Sequence, residues 1–177
     1  MMTARTATSA RAIALWLFVL FLAVALGAGL YESRIEVPQW IPDGAAWDAD
    51  AAREADTGRR FWVYVTTVPL TLLTVVNLVL AWRSRGELRR WWLTASLVSV
   101  ADRVLTFGYF IPTMIVLMSG TLAPQEALDA AQRWAALDWL RHGLSLAALV
   151  CAIRALTLLT AASGQVLPDR AAAQHAE

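Results

Sequence analysis

The stretch Asp102–Leu117, DRVLTFGYFIPTMIVL, decides the fold, because two adjacent charges open an otherwise apolar segment. A charged side chain near the bilayer centre costs about 2.5 to 3.5 kcal/mol on insertion scales, so it usually faces the interior of a helix bundle and has a partner. At helical spacing, the polar side chains of this region share one stripe, and Leu, Val, Ile and Met occupy the other positions. The stripe consists of Ser99, Asp102, Arg103, Thr106, Tyr109 or Phe110, and Thr113. We therefore predict a single helix with one polar face and one lipid face.

The composition of the whole chain is that of a membrane protein. Of its 177 residues, 58% are hydrophobic and 16% are charged, whereas a soluble domain has about 25% charged residues. The net charge of +1 and the lack of a long basic run argue against a nucleic-acid partner. The single cysteine, Cys151, excludes an internal disulfide, a CxxC redox pair and a cysteine-based zinc site.

Four apolar segments are each long enough to cross a hydrocarbon layer of about 30 Å. They lie at about 12–31, 61–82, 91–117 and 139–159, within a membrane domain of residues 12–160 that follows a tail, 1–11, and precedes a flexible tail, 161–177. The predicted fold is all-α, an integral membrane antiparallel four-helix bundle.

Two alternatives to these boundaries remain open. The first segment resembles a signal peptide at Ala23-Val24-Ala25, although its apolar core is longer than usual. The third span could begin at Val104. The Trp91-Trp92 pair favours the earlier start, because tryptophan is typical of the membrane interface, where a span begins.

The distribution of charge predicts the orientation in the cell membrane. Residues 83–90 contain four arginines and one acid, whereas residues 32–60 contain seven acids and four arginines. By the positive-inside rule, both termini of this multi-pass protein are cytoplasmic, and loops 32–60 and 119–138 lie outside. Pro38 and Pro42 predict that no helix continues through the start of the first loop, whereas Asp48–Asp56 could form a short surface helix. In the second loop, Pro124 predicts the first turn of a helix.

With this topology, all four spans bring polar groups to the outer half of the bundle, where we expect an outward-facing pocket. The candidate catalytic residues are His142, Arg103 and Arg141, and the candidate substrate-binding residues are Glu32, Arg60, Tyr64, Asp102, Thr106, Tyr109, Phe110, Asp138 and Trp139. Of these, only His142 has an ordinary pKa near neutrality. In the alternative interpretation, Arg103 forms a structural ion pair with Glu32 or Asp138, and His142 is a hydrogen-bonded packing residue.

No metal or cofactor is expected. His142 is the only histidine within a predicted span, because His175 lies in the tail, so a haem held by two histidines lacks a ligand. The sequence contains no HxxxH or ExxH metal motif and no glycine-rich nucleotide loop.

Short motifs at the span ends resemble a known family. They are Gly29-Leu30-Tyr31-Glu32 with Val37-Pro38-Gln39-Trp40, Arg60-Phe61-Trp62, Arg103-x-x-Thr106-x-x-Tyr109-Phe110-x-Pro112, and Trp139-Leu140-Arg141. Together they resemble the small four-span anthrone-oxygenase-like family over residues 13–159. The resemblance implies the fold and the membrane placement. Most bacterial members have no assigned function, whereas fungal relatives are associated with oxidation of an anthrone to an anthraquinone without an evident metal or flavin.

Such chemistry needs a base and fixed cations, because an anthrone carbanion can react with O₂ directly and the developing enolate must be stabilised. His142 would be the base, and Arg103 and Arg141 would hold the enolate oxygen. Glu32 or Asp138 would orient these groups, and the aromatic walls would be Trp139, Tyr109, Phe107 and Phe110.

Two functions from different classes therefore stay open. One is a membrane-embedded, cofactor-free oxidase or oxygenase, or another binder of a hydrophobic aromatic small molecule. The other is a non-enzymatic membrane helper or a ligand- or partner-binding module. For the second, small residues at four-residue spacing predict homo-oligomer or partner faces in the bilayer: Ala23/Gly27, Ala25/Gly29 and Gly143/Ala147/Cys151. Transport is disfavoured, because the inner half lacks a polar path and no internal repeat is visible.

Overall fold

A computed structural model describes residues 2–55 and 58–174, with side chains described for 10–55 and 61–161. Within these residues the chain is helical and contains no strand. Four helical segments are long and apolar enough to cross a membrane: Ala10–Trp40, Phe61–Trp82, Gly86–Ser119 and Pro124–Ala161. We call them the first to fourth spans. The predicted all-α, four-helix membrane bundle is confirmed.

The α-helices within and between these spans are α1 (Met2–Tyr31), α2 (Val37–Trp40), α3 (Ala49–Ala55), α4 (Val68–Trp82), α5 (Gly86–Leu105), α6 (Ile111–Ser119) and α7 (Pro124–Gln174). α1 packs against α4 and α7, and α5 packs against the same two helices. The bundle is therefore a closed ring of antiparallel neighbours. We call the end bearing residues 83–85 the turn end, and the end bearing residues 41–55 and 120–123 the loop end.

π-helical turns precede the three prolines inside the spans. The segments Glu32–Glu36, Gly58–Thr67 and Thr106–Phe110 are π-helical and are followed by Pro38, Pro69 and Pro112 in the first turn of an α-helix. Proline lacks an N–H group, and its ring clashes with the carbonyl four residues earlier. A wider turn at that carbonyl moves it away from the ring, so each span continues through its proline.

Two apolar cores lie at opposite ends of the described part of the bundle, and a third, small cluster of Leu117, Ala127 and Ala131 adjoins the second. The larger lies toward the turn end and includes Leu15, Phe18, Leu22, Leu70, Trp92, Ala95, Ala148, Ala152 and Ala155. Its alanines lie on α5 and α7 and let these helices approach closely. The smaller core lies at the loop end and consists of Val37, Trp40, Ala52, Phe110 and Trp134. We call the part of the protein around this second core, formed by α2, α3, α6 and the start of α7, the cap.

The polar stripe predicted for the third span is confirmed. Ser99, Asp102, Arg103 and Thr106 are buried in the bundle, whereas Leu97, Val104 and Phe107 are exposed. The span is one continuous helical segment from Gly86, with no break before Val104.

Three predictions about the ends of the spans are wrong. Residues 32–40 are helical through Pro38, and the helix ends only before Pro42. The helix predicted from Pro124 is present, but it is the first part of α7 and continues into the fourth span, so residues 124–138 are not a separate loop segment. Trp92 is 0% exposed and donates its indole N–H to Asn77 Oδ1 at 2.9 Å, so of the Trp91-Trp92 pair only Trp91 faces outward. In the first two cases the helical segments are longer than the apolar stretches, because the cap gives their extra turns a surface to bury, whereas Trp92 is buried in the larger core.

Candidate functional site

A layer of charged side chains lies between the two apolar cores. It consists of Glu32, Asp102, Arg103, Asp138, Arg141 and His142, and we call it the charged layer. The layer is nearly closed to the outside, since five of its members are at most 9% exposed and the Arg141 side chain is 17% exposed. The first, third and fourth spans bring charged groups to the same level of the bundle.

Opposite charges alternate through the layer and connect α5 to α7. Arg103 donates from Nε to Asp102 Oδ2 at 3.2 Å and makes a second contact to the same oxygen from Nη2. Arg141 lies between two carboxylates: its Nε is 3.6 Å from Asp102 Oδ1, and its Nη1 donates to Asp138 Oδ1 at 3.1 Å. The order Arg103, Asp102, Arg141, Asp138 gives every charge a neighbour of opposite sign. The predicted partner of Arg103 was Glu32 or Asp138, whereas the ion pair in the structure is with Asp102.

A serine that the sequence analysis did not select connects this network to the first span. Ser33 Oγ donates to Asp138 Oδ2 at 2.7 Å and lies 2.8 Å from His142 Nε2. Which of the two atoms donates in the contact between Ser33 Oγ and His142 Nε2 depends on the imidazole tautomer. The same Nε2 lies 3.4 Å from Asp138 Oδ2. His142 Nε2 therefore contacts both the first span, at Ser33, and its own helix, at Asp138.

The other edge of the imidazole packs against the backbone of the first span. A Cβ atom placed on Gly29 would lie 2.8 Å from His142 Cε1 and 3.3 Å from Nδ1. The Trp139 ring contacts the imidazole edge-on, with 5.3 Å between centroids. A general base must present an unprotonated nitrogen to its substrate. Neither nitrogen of His142 faces open space, and this geometry fits the packing role better than the role of a base.

The second span contributes an indole to the layer. Trp62 donates its Nε1 proton to Glu32 Oε1 at 2.7 Å, which connects the first and second spans. Arg60 and Tyr64 were the residues predicted as the second span's contribution to the site. The Arg60 side chain lies outside the described residues, as does His175, and Tyr64 is 73% exposed on the outside of the bundle.

The remaining predicted residues border the charged layer. Thr106 Oγ1 donates to the Asp102 carbonyl at 2.8 Å, within its own helix. The Phe110 ring lies 4.5 Å from Arg141 Cζ and packs edge-on against Tyr109. Trp139 is 46% exposed, so it lies on the surface rather than in a pocket wall. Arg34 covers part of this indole, with its Cζ 4.8 Å from the ring centroid.

Ser33 and Trp62 were not among the predicted site residues, and Gly29 was predicted only as a small residue at a helix contact. Gly29 and Ser33 are four residues apart and therefore lie on one face of a helix, which is the signal that could have placed them against the fourth span together. Trp62 gave no such signal, because tryptophans at span ends usually face the membrane interface.

Two cavities lie elsewhere on the molecule. One, of about 240 Å³, is lined by Pro112, Thr113, Val116, Leu117, Leu122 and Ala130. The other, of about 270 Å³, is lined by Glu36, Gln39, Trp40, Ala51, Glu54 and Ala55. Neither is lined by a member of the charged layer. Within the described residues, no three or more His, Cys, Asp or Glu side chains are grouped so as to hold a metal ion.

Comparison of the chain with models of protein families, with curated proteins and with solved structures finds no match. The charged layer and its surroundings are therefore the basis on which a function is argued.

Proposed function

We propose that the chain is a non-enzymatic membrane helper or partner-binding module, in which the charged layer is a structural clamp between the four spans and the cap. The observation that carries this proposal is that the charged side chains of the layer contact one another or a neighbouring span. Arg103 and Arg141 each face a carboxylate, and Glu32 and His142 each contact another span.

The energetic consequence of such a layer is rigidity. Removing one partner of a buried ion pair typically costs about 3 to 5 kcal/mol, because the other charge stays buried without compensation. The spans therefore resist sliding or rotating relative to one another. An enzyme would instead need a group free to meet its substrate, whereas His142 Nε2 is directed at Ser33 and Asp138.

The cap is connected to this clamp and is the part we assign to partner binding. Trp134 donates to the Phe110 carbonyl at 3.3 Å, and the Phe110 ring lies beneath Arg141. Trp47 holds the other side of the cap by donating to the Leu117 carbonyl at 3.0 Å. In the orientation that the arginine distribution favours, both termini are cytoplasmic and the cap is extracytoplasmic.

Small residues on the bundle surface are available to a second membrane helix. Gly27 and Gly143 are exposed, and a Cβ atom at either would meet nothing within 4 Å. Ala23 and Ala147 are exposed beside them. Gly29, in contrast, is already covered by His142. The pairs Ala23/Gly27 and Gly143/Ala147 support a homo-oligomer or partner contact in the bilayer.

The test is an assay of the purified full chain with an anthrone and O₂. We expect no anthraquinone above the buffer rate, and we expect Arg103→Met and His142→Ala to lower the melting temperature. Turnover by the parent chain that is lost in a folded His142→Ala variant would contradict a purely structural layer.

One observation favours a second candidate, the binding and oxidation of a flat lipophilic molecule that the family resemblance implies. Asp102 Oδ1 and Arg141 Nε are buried without a hydrogen-bond partner among the described residues. An enolate oxygen could bind Arg141 if the layer opened. This candidate replaces the first if an anthrone raises the melting temperature of the parent chain and has no effect on the Arg141→Met variant.

A further inference from the structure

The turn end of the bundle carries a dense group of arginines. They are Arg83, Arg85, Arg89 and Arg90 around the turn between α4 and α5, and Arg154 on α7. Glu87 is the one acid within residues 83–90, and it already has partners. It accepts from Arg154 Nη2 at 3.2 Å and from Trp91 Nε1 at 3.3 Å.

Three of these arginines are left without an anion. Arg89 lies over the Trp82 ring, with its Cζ 5.2 Å from the centroid. Arg83, Arg85 and Arg90 are exposed, and no acidic side chain among the described residues contacts them. Three like charges within eight residues repel one another, so an external anion would stabilise this surface.

The surface next to these arginines is aromatic and then aliphatic. Trp82 is 65% exposed and Trp91 is 36% exposed, and Val79 is 46% exposed about one turn further into the span. Positive charge, indole and aliphatic side chains therefore follow one another from the turn end toward the middle of the bundle. A phospholipid presents its phosphate, its ester region and its acyl chains in the same order. A soluble phosphate or an acidic peptide would match only the first of these three zones.

We propose that the turn end binds anionic phospholipids of the adjacent leaflet, with Arg83, Arg85 and Arg90 contacting the headgroups and Trp82 and Trp91 packing at the ester region. Each arginine near an anionic membrane surface contributes about 1 kcal/mol of attraction. This proposal is independent of what the charged layer and the cap do.

The experiment uses the full chain reconstituted into vesicles of equal parts phosphatidylglycerol and phosphatidylcholine. Spin-labelled forms of the two lipids report which one occupies the shell around the protein. We expect phosphatidylglycerol to be preferred about fivefold beside each arginine at low ionic strength, since about 1 kcal/mol is a factor of roughly five in the binding constant. The preference should shrink as salt is added, since surface charges are screened over about 8 Å at physiological salt.

Three variants make the assignment specific to the turn end. Arg83→Gln/Arg85→Gln/Arg90→Gln should abolish the preference, and the corresponding triple lysine variant should keep most of it. Arg34→Gln/Arg133→Gln removes two exposed arginines toward the loop end and should leave the preference unchanged. Circular dichroism establishes that each variant is folded. The proposal is overturned if the parent chain shows no preference, if the triple glutamine variant keeps it, or if the loop-end variant loses it equally.

Discussion

Arg141 Nε and Asp102 Oδ1 lie 3.6 Å apart inside the bundle, and neither atom has a hydrogen-bond partner among the described residues. The separation is beyond the usual 2.7 to 3.2 Å, roughly, of an N–H···O hydrogen bond, so the attraction between them is mainly that of opposite charges. Arg141 also donates to Asp138 at 3.1 Å. It therefore joins carboxylates from α5 and α7, and the loss of either carboxylate would leave part of its charge uncompensated.

Asp102→Asn is expected to lower the free energy of unfolding by about 3 to 5 kcal/mol, because Arg103 and Arg141 would lose their shared carboxylate inside the bundle. Unfolding of the purified protein in mixed micelles, followed by circular dichroism, measures the change. The matched control is Asp50→Asn. It breaks the pair between Asp50 and Arg53, whose side chains are 89% and 48% exposed, and should cost less than about 1 kcal/mol. Equal losses in the two variants would contradict the clamp.

Gly29→Ala tests the close approach of the first and fourth spans. The new methyl group would lie 2.8 Å from His142 Cε1, so the imidazole must move, at an expected cost of about 1 to 3 kcal/mol. Gly27→Ala adds the same methyl group where nothing lies within 4 Å. It should be neutral or stabilising by up to about 1 kcal/mol, since alanine is the better helix former. The melting temperatures of the two variants are compared. A Gly29→Ala variant as stable as Gly27→Ala would contradict the close contact between Gly29 and His142.

Trp62→Phe is expected to cost about 1 to 3 kcal/mol, because the Glu32 carboxylate would lose its only hydrogen-bond donor among the described side chains. The control, Trp91→Phe, removes an indole hydrogen bond to the exposed Glu87 at the turn end. We expect it to change the unfolding free energy by less than about 0.5 kcal/mol, as surface substitutions usually do. The pair of variants is compared in the same micelle titration, and a larger loss at Trp91 would argue against a structural role for Glu32.

Thr74→Val and Ser99→Ala address a neutral hydrogen bond between α4 and α5. Their hydroxyl oxygens are 2.8 Å apart in the buried core. Hydrogen bonds between side chains of membrane helices contribute about 0.6 kcal/mol on average. A double-mutant cycle should therefore give a coupling of this size, several times smaller than the effect of Asp102→Asn. A coupling as large as the loss of stability in Asp102→Asn would mean that a neutral hydrogen bond stabilises the packing of the spans as much as the buried ion pairs do.

The cap shows where sequence patterns stop being sufficient. Hydropathy identifies the apolar part of each span, but residues 32–40 and 124–138 are helical because their side chains pack against one another at the loop end. Trp40 and Trp134 are buried in the cap core, although tryptophans at span ends usually lie at the membrane interface. Their burial depends on α3 and α6 lying beside them, and these neighbours come from distant parts of the chain.

The sequence by itself determined that this is a four-span membrane protein, and that the charges at 102–103 and 138–142 must meet inside the bundle, because hydrocarbon penalises an isolated charge wherever the helix carries it. Only the tertiary structure decided the partners: Asp102 for Arg103, Trp62 for Glu32, and Ser33 and Gly29 for His142. The physical reason is the phase of the helices. The rotation of each helix about its own axis depends on how it packs against its two neighbours in the ring, because side chains at different positions around a helix face different neighbours. Packing therefore determines which neighbouring helix each polar side chain faces, whereas the position of the apolar segments in the sequence already determines its level along the span.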